Sequence, residues 1–378
     1  MLTAAIQKRF PEGPDSAAFT LDVQFEAAPG VTALYGPSGS GKTLTLDMIA
    51  GFSGSDTGRI LLDDRILFDS GASVNLRPQD RACGYVFQNH ALFPHMSLRE
   101  NLAFAAQRLP RLERHRRIAE QLDRFKLAPL AGRYPHQLSG GQKQRGSIAR
   151  ALLADPRVVL LDEPARGLDN ALRADFHQLV QQMRESLEIP ILLVTHDLEE
   201  CFALADRILL YDAGRILHRG APSDLRRNPA TPAVARLMGG FNIYTAEVIA
   251  LDPARQTSRL RLLDHELDGP HLPGCFLGDQ ISLCARPEEL RVATSPGRNR
   301  IRVDLIRTTD RAQFIEADFG SEIIVSVPRD TWVELNEAGP KSGWWIELPA
   351  AALRPLSAAP AASPESPRSS PRPRLARP

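Results

Sequence analysis

The chain predicts two domains of different class: an α/β domain with a largely parallel sheet over residues 1–238, then a small all-β domain over 239–356. Three observations carry this. At 378 residues the chain is too long for one ordinary core. Up to about residue 238, short β-branched runs such as GVTALYG, RVVLLDEP and IPILLVTHD alternate with helical stretches, the rhythm of parallel strands covered by helices. After Gly239 and Gly240 the texture changes to short alternating segments, among them TAEVIALD, DQISLCARP and EIIVSVPRD, separated by Gly, Pro and Asp turns. The end, SAAPAASPESPRSSPRPRLARP, has too little apolar surface to offset ordering entropy, which predicts a disordered tail over 357–378.

Composition narrows the function classes. With 43% hydrophobic and 24% charged residues the chain has the make-up of a soluble globular protein. Lys and Arg total 46 against 45 Asp and Glu, a formal charge of +1, so no global basic field draws in nucleic acid and none is expected as a partner. The four cysteines, Cys83, Cys201, Cys275 and Cys284, lack the pairing of a disulfide framework or a zinc site, which fits a reduced cytoplasmic compartment. The N-terminus MLTAAIQKRFPEGPD has no signal-peptide apolar region, and no run is long enough for a membrane helix. Any work at a membrane is therefore expected to go through partners.

The first chemical element is GPSGSGKT, comprising Gly36, Pro37, Ser38, Gly39, Ser40, Gly41, Lys42 and Thr43, between the strand VTALY and the helical TLTLDMIAG. This G-x-x-x-x-G-K-T spacing in a strand-to-helix context is a phosphate cradle. The glycines let successive backbone N–H groups turn inward, and the helix N-terminus adds its positive end. Lys42 is expected to reach the β and γ phosphates and Thr43 to hold Mg²⁺. The second element is VVLLDEP, a buried strand delivering Asp162 and Glu163 to the same crevice. Alternation along a strand would send them to different faces, giving Asp162 the Mg²⁺ shell and Glu163 the attacking water. The third, ILLVTHD, ends another buried strand at His196, placed to meet the γ-phosphate and to orient water or Glu163.

Between these lies LSGGQKQR, where Ser139 is a helix cap, Gly140 and Gly141 permit close backbone approach, and Gln142 follows in the exposed first turn. With this segment the chain resembles the ABC ATPase family, whose signature is LSGGQ. The resemblance implies a P-loop NTPase fold with a helical subdomain over about 89–150, and it implies ATP and Mg²⁺ as ligands. It also implies a homodimer in which Ser139, Gly140, Gly141 and Gln142 meet the γ-phosphate of ATP held by the opposite subunit. By the same resemblance Asp169 in GLDN couples the sites across the dimer. Gln88 in YVFQNHALFPHMSLREN contacts Mg²⁺ and water and reports nucleotide state to the membrane partner. The aromatic that stacks on adenine is Phe10 in QKRF, with Phe19 as its competitor. Two departures stand out: Arg166 and Gly167 where small residues such as Ser-Ala are commoner, and Gly146 and Ser147 after the signature.

A single P-loop, a single LSGGQ, the segment FPHMSLREN and a C-terminal CARPEELRV resemble importer subunits rather than soluble ABC factors. The implied partners are two transmembrane permease subunits, with an extracytoplasmic substrate-binding protein acting through them. The implied location is peripheral, on the cytoplasmic face of the inner membrane. The all-β domain resembles the oligomer-binding-fold module of importer ATPases and reads either as a regulatory sensor or as a dimer clasp. For cargo, ILLDDRILFDSGASVNLRPQDRACGYVFQ resembles molybdate and sulfate importers and points to an oxyanion such as molybdate, while the RPE strand resembles the polyamine, sugar and iron group. Trp332, Trp344 and Trp345 read as core and interface residues.

Overall fold

A computed structural model describes residues 1–13, 17–89, 91–339 and 343–357. The tail expected from Ser357 onward thus lies, beyond that residue, outside the described residues. The chain divides into two compact units, Met1–Asn228 and Pro229–Pro378.

The first unit contains two sheets. The first is antiparallel, in the order β2 (Phe19–Ala27), β1 (Leu2–Phe10), β4 (Thr57–Leu62), β5 (Arg65–Asp69), β6 (Val74–Asn75). Alternation in β1 and β2 sends Leu2, Ala4 and Ile6, with Leu21, Val23 and Phe25, into a core shared with Leu46, Met48 and Ile49. The largely parallel sheet expected from the sequence is therefore only one of two.

That second sheet runs β11 (Arg215–Gly220), β10 (Arg207–Asp212), β3 (Gly30–Tyr35), β9 (Pro190–Thr195), β8 (Val158–Asp162), β7 (Cys83–Val86). It is parallel from β10 to β7, and β8 and β9 are buried along their whole length. Layers on both faces explain their uninterrupted apolar runs. Tyr35 pairs with Thr195, and Asp162 with Val194, so β3, β8 and β9 end together at one edge.

Helix α1 (Lys42–Ala50) leaves that edge. Its C-terminal carbonyls are met by the buried guanidinium of Arg81, which donates to Met48 at 2.6 Å and Ile49 at 2.9 Å and also to Leu76, after β6, at 2.8 Å. Helices α2 (Leu98–Ala105), α3 (Arg111–Arg124) and α4 (Gly140–Leu153) form the helical part, where Leu98, Leu102, Ile118, Leu122 and Ile148 share a core with Val159, Leu161 and Ile191. Ser97 starts α2 with a capping box to Glu100, and the buried Asn101 amide bonds Phe93, Met96 and Ser97, so FPHMSLREN is held by local hydrogen bonds. A Cβ on Gly146 would stand 2.8 Å from Leu98 Cδ1, so this mid-helix glycine, which costs about 1 kcal/mol in propensity, lets α2 approach α4. The unit closes with α5 (Asn170–Ser186), α6 (Leu198–Leu204) and α7 (Pro222–Arg227).

The second unit opens with α8 (Pro232–Met238), ahead of the Gly239–Gly240 texture change. Ala235 of that helix packs with Cys284 and Leu356, which is why the helix belongs with the strands that follow. A five-stranded sheet runs β14 (His265–Pro270), β13 (Thr257–Leu262), β12 (Asn242–Asp252), β15 (Gln280–Ala285), β22 (Arg354–Leu356). Two three-stranded sheets join it: β16 (Arg291–Ala293), β21 (Trp344–Glu347), β17 (Arg300–Val303), and β18 (Arg307–Asp310), β19 (Phe314–Asp318), β20 (Ile324–Pro328). A helix not expected in an all-β domain, α9 (Arg329–Ala338), brings Trp332 onto Trp344 with ring centroids 5.4 Å apart. Both rings are in the core, and His265 meets the Trp345 ring edge-on.

Candidate functional site

After β3 the chain turns through Gly36–Gly41 into α1. A Cβ at Gly36 would lie 2.1 Å from the Tyr211 carbonyl oxygen, so only glycine fits this close backbone approach. Gly41 caps α1 in a left-handed conformation at φ 101 and supplies no side-chain hydrogen bond. The first-turn N–H groups therefore remain available to an anion. Lys42 Nζ donates to the carbonyls of Gly36 at 2.8 Å and Pro37 at 2.7 Å. Burial lowers its pKa, opposed by the carboxylates of Glu163 and Asp162.

The acids arrive at the end of β8. Thr43 Oγ1 donates to Asp162 Oδ1 at 2.8 Å. Burial raises the Asp162 pKa, which the Thr43 hydrogen bond opposes. Glu163 does not continue the strand. At φ 43 it is left-handed, with its N–H donating to the Val194 carbonyl at 3.0 Å, so a backbone turn, and not strand alternation, separates the directions of the two acids. Such a conformation costs a non-glycine residue about 1 kcal/mol or more.

The Glu163 carboxylate is closely surrounded. Gln88 Nε2 donates to Oε2 at 3.2 Å and Arg166 to the same oxygen at 2.7 Å, while His196 Nδ1 stands 3.5 Å from Oε1. The adjoining cleft of about 470 Å³ is lined by Ser38, Gly39, Gly41, Lys42 and Thr43, together with Gln88, Glu163, Arg166 and Asp47. Its aromatic wall is Phe19. Phe10 pairs opposite Phe19 in the β1–β2 register, its ring centroid 6.2 Å away, and is not among the described residues that line the cleft. Tyr85 donates to Asp47 Oδ1 at 2.9 Å, and burial raises the Asp47 pKa.

The structure thus brings together the cradle, Asp162, Glu163, Gln88 and His196. It leaves the signature elsewhere. Ser139 caps α4, accepting from the Gln142 N–H at 3.3 Å, while the Ser139 N–H donates to Gln142 Oε1 at 2.9 Å. A Cβ on Gly141 would stand 2.7 Å from Leu172 Cδ2 on α5, so this glycine seats the two helices. Asp169 caps α5 by accepting from Leu172 N–H at 2.9 Å. None of Ser139, Gly140, Gly141, Gln142 or Asp169 is among the described residues lining the cleft.

Sequence reasoning missed Asp47 and the ion pair of Arg166. Only the second had a signal, an arginine three residues beyond Glu163. A larger cleft of about 930 Å³ lies in the second unit, with Arg255, Arg259, Arg298 and Arg300 on its walls. Each is paired with a carboxylate, for instance Arg298 with Asp268 at 2.6 Å and Arg300 with Glu347 at 2.9 Å, so it is not a bare anion cradle.

Comparison with known proteins fits this geometry. The family model described as ABC transporter matches residues 21–166. The molybdenum import ATP-binding protein ModC of Paramagnetospirillum magneticum is 44% identical over 64% of this chain and 67% of its own length. The sulfate/thiosulfate import ATP-binding protein CysA 2 of Agrobacterium fabrum is 42% identical over 84% of this chain and 91% of its own. The spermidine/putrescine import ATP-binding protein PotA of Nitratidesulfovibrio vulgaris is 38% identical over 84% and 89%. A solved ATP-binding cassette, dimeric and bound to ADP and phosphate in a post-hydrolysis state, superposes with a TM-score of 0.51 at 27% identity over 59% of this chain and 99% of its own.

A nucleotide cradle, paired acids and an LSGGQ helix on this fold define an ATP-binding cassette ATPase, and the chain belongs to the ABC transporter family. Within that family it groups with the ATP-binding subunits of importers.

Proposed function

We propose that this chain hydrolyses ATP in a homodimer beneath two transmembrane permease subunits, at the cytoplasmic face of the inner membrane. An extracytoplasmic substrate-binding protein delivers cargo to the permease. No helix among the described residues is long and apolar enough to cross a membrane, so the membrane path is assigned to partners. In this reading the ATPase domain, expected from the sequence to run over 1–238, is the first unit ending at Asn228, with a helical subdomain over about 89–150 that docks the permease, and the second unit, holding the strands expected over 239–356, is a regulatory domain.

The observation that carries the reading is that Glu163 lines the same cleft as Lys42 and Thr43. The cradle backbone and Lys42 bind the β and γ phosphates, and Phe19, with Phe10 behind it, packs against the base. Thr43 and Asp162 offer hard oxygen donors 2.8 Å apart, and Gln88 lines the same cleft. Such a set suits Mg²⁺, which takes one or two protein ligands and completes its shell with phosphate and water. Bound there, Mg²⁺ neutralises phosphate charge. Glu163 accepts the proton of the attacking water, and His196 orients that water or Glu163. Ser139, Gly140, Gly141 and Gln142 reach the nucleotide of the opposite copy, which accords with their absence from their own cleft, and Asp169 couples the two sites.

Glu163→Gln should still bind ATP but hydrolyse it at least about 100-fold more slowly, since only the water-activating group is lost. Turnover like that of the wild type would overturn the assignment. For cargo we favour an oxyanion, molybdate or sulfate. Of the three relatives above, the two named for molybdenum and for sulfate/thiosulfate import are the more identical, at 44% and 42% against 38%. Uptake of labelled molybdate, sulfate and spermidine by cells with and without this chain tests the choice, and loss of spermidine uptake alone would reverse it.

A further inference from the structure

The Oε2 oxygen of the Glu163 carboxylate is not free to receive a proton in the arrangement observed. Two donors, the Arg166 guanidinium at 2.7 Å and the Gln88 amide at 3.2 Å, converge on Oε2, and the His196 ring faces Oε1. A water that is to hand its proton to Oε2 must first displace one of those donors. The two partners differ in mobility. The Glu163 side chain is 15% exposed and fixed by its backbone turn, whereas Arg166 is 59% exposed on a long stem. Arg166 also lines both the nucleotide cleft with Lys42 and Thr43 and the smaller cavity that contains His196 and Thr195. One guanidinium therefore stands within reach of two anions, the carboxylate it now holds and whatever phosphate enters beside Lys42. A phosphate offers this planar donor at least as good a partner as a carboxylate.

We propose that Arg166 is a latch on Glu163, closed by the observed ion pair and opened when the terminal phosphate of ATP draws the guanidinium away. The latch ties release of the carboxylate to the presence of the phosphate to be cleaved. ADP, which lacks that phosphate, leaves it closed. Arg166 acts through Glu163 and is a positioning residue, so the inference rests on the reading of Glu163 as the group that activates water.

The test is steady-state ATP hydrolysis by the full chain carrying Arg166→Gln, beside Arg166→Lys. The ion pair competes with the phosphate for the guanidinium even in the ATP-bound state, so loss of the latch should raise kcat on the order of threefold to fivefold, the range of one partly exposed ion pair. It should also raise the KM for ATP, because a phosphate contact goes, while leaving ADP affinity unchanged. Arg166→Lys, which keeps the charge, should restore values near wild type. A damaged fold would lower kcat, so a rise is not a structural artefact. A kcat that fails to rise in Arg166→Gln, whether unchanged or reduced, overturns the proposal. Glu163→Gln separates the two failures: if that variant is slow and Arg166→Gln is no faster than wild type, the latch alone is wrong. If Glu163→Gln turns over normally, the underlying reading has failed. In the double variant, Arg166→Gln should add nothing to kcat, and an increase there would show that Arg166 acts by another route.

Discussion

At the scale of single residues, the site depends on backbone positions as much as on charges. Gly36→Ala would push a methyl group against the Tyr211 carbonyl at 2.1 Å, a contact that neither backbone can relieve without moving the cradle. We expect destabilisation of about 3 kcal/mol together with loss of ATP binding, read by thermal unfolding and nucleotide titration. Unchanged affinity would mean that the loop is looser than its geometry indicates. The cysteines make a second prediction. Burial pushes the Cys83 thiol up to about 12 and the Cys284 thiol up to about 11, and raises that of Cys201 as well. At pH 8 their thiolate fraction is therefore very small, and iodoacetamide should modify the partly exposed Cys275 first, as peptide mapping would reveal. Residues in continuous motifs were legible in the sequence because the chemistry needs them adjacent, from Gly36 to Thr43 and again at Asp162 and Glu163. The aromatic that lines the cleft was not. Phe10 and Phe19 face each other across one strand pair, and only the placement of that pair beside Gly41 brings Phe19 into the cleft.

At the scale of elements, α1 is held at both ends, by the cradle at its start and by Arg81 at its finish. Arg81→Met would leave the carbonyls of Met48, Ile49 and Leu76 without this buried donor. It should cost about 3 kcal/mol in chemical denaturation while leaving the phosphate-binding residues in place. A loss below about 1 kcal/mol would show that other donors replace it. In the second unit, Glu289 of the RPE segment pairs with both terminal nitrogens of Arg354, tying the turn after β15 to β22. Arg354 holds the Glu289 carboxyl below the usual carboxylate range. The stabilisation is therefore complete above the unfolded-state pKa near 4 and is lost as pH falls through the lower folded value. Glu289→Gln should lose about 1–2 kcal/mol at pH 7, and its difference from wild type should shrink on acidification below about pH 4. The buried parallel strands announced themselves as apolar runs. The antiparallel sheet of β1, β2, β4, β5 and β6 did not, because its alternation is carried partly by small or polar residues such as Ala4, Thr3 and Gln7. Helix α9 was hidden for a related reason, since its charged sequence follows directly on a strand.

At the scale of the molecule, the α/β class and the later β-rich unit could be read from rhythm alone, whereas the division at Asn228 could not. That boundary depends on where Ala235 packs, a contact with Cys284 and Leu356 far along the chain. The larger consequence concerns the distance between function and cleft. The cradle, the acids and His196 gather in one place, while Ser139 to Gln142 are not among the described residues lining that cleft, so in the proposed reading one copy presents half of each site. The most direct test is the ATP dependence of self-association in Glu163→Gln, measured by sedimentation with and without Ser139→Arg. If two copies complete each other's sites, ATP should lower the dimer dissociation constant of Glu163→Gln at least tenfold. Ser139→Arg should abolish that effect while leaving ATP binding intact. Equal ATP-driven association in both proteins would contradict the account.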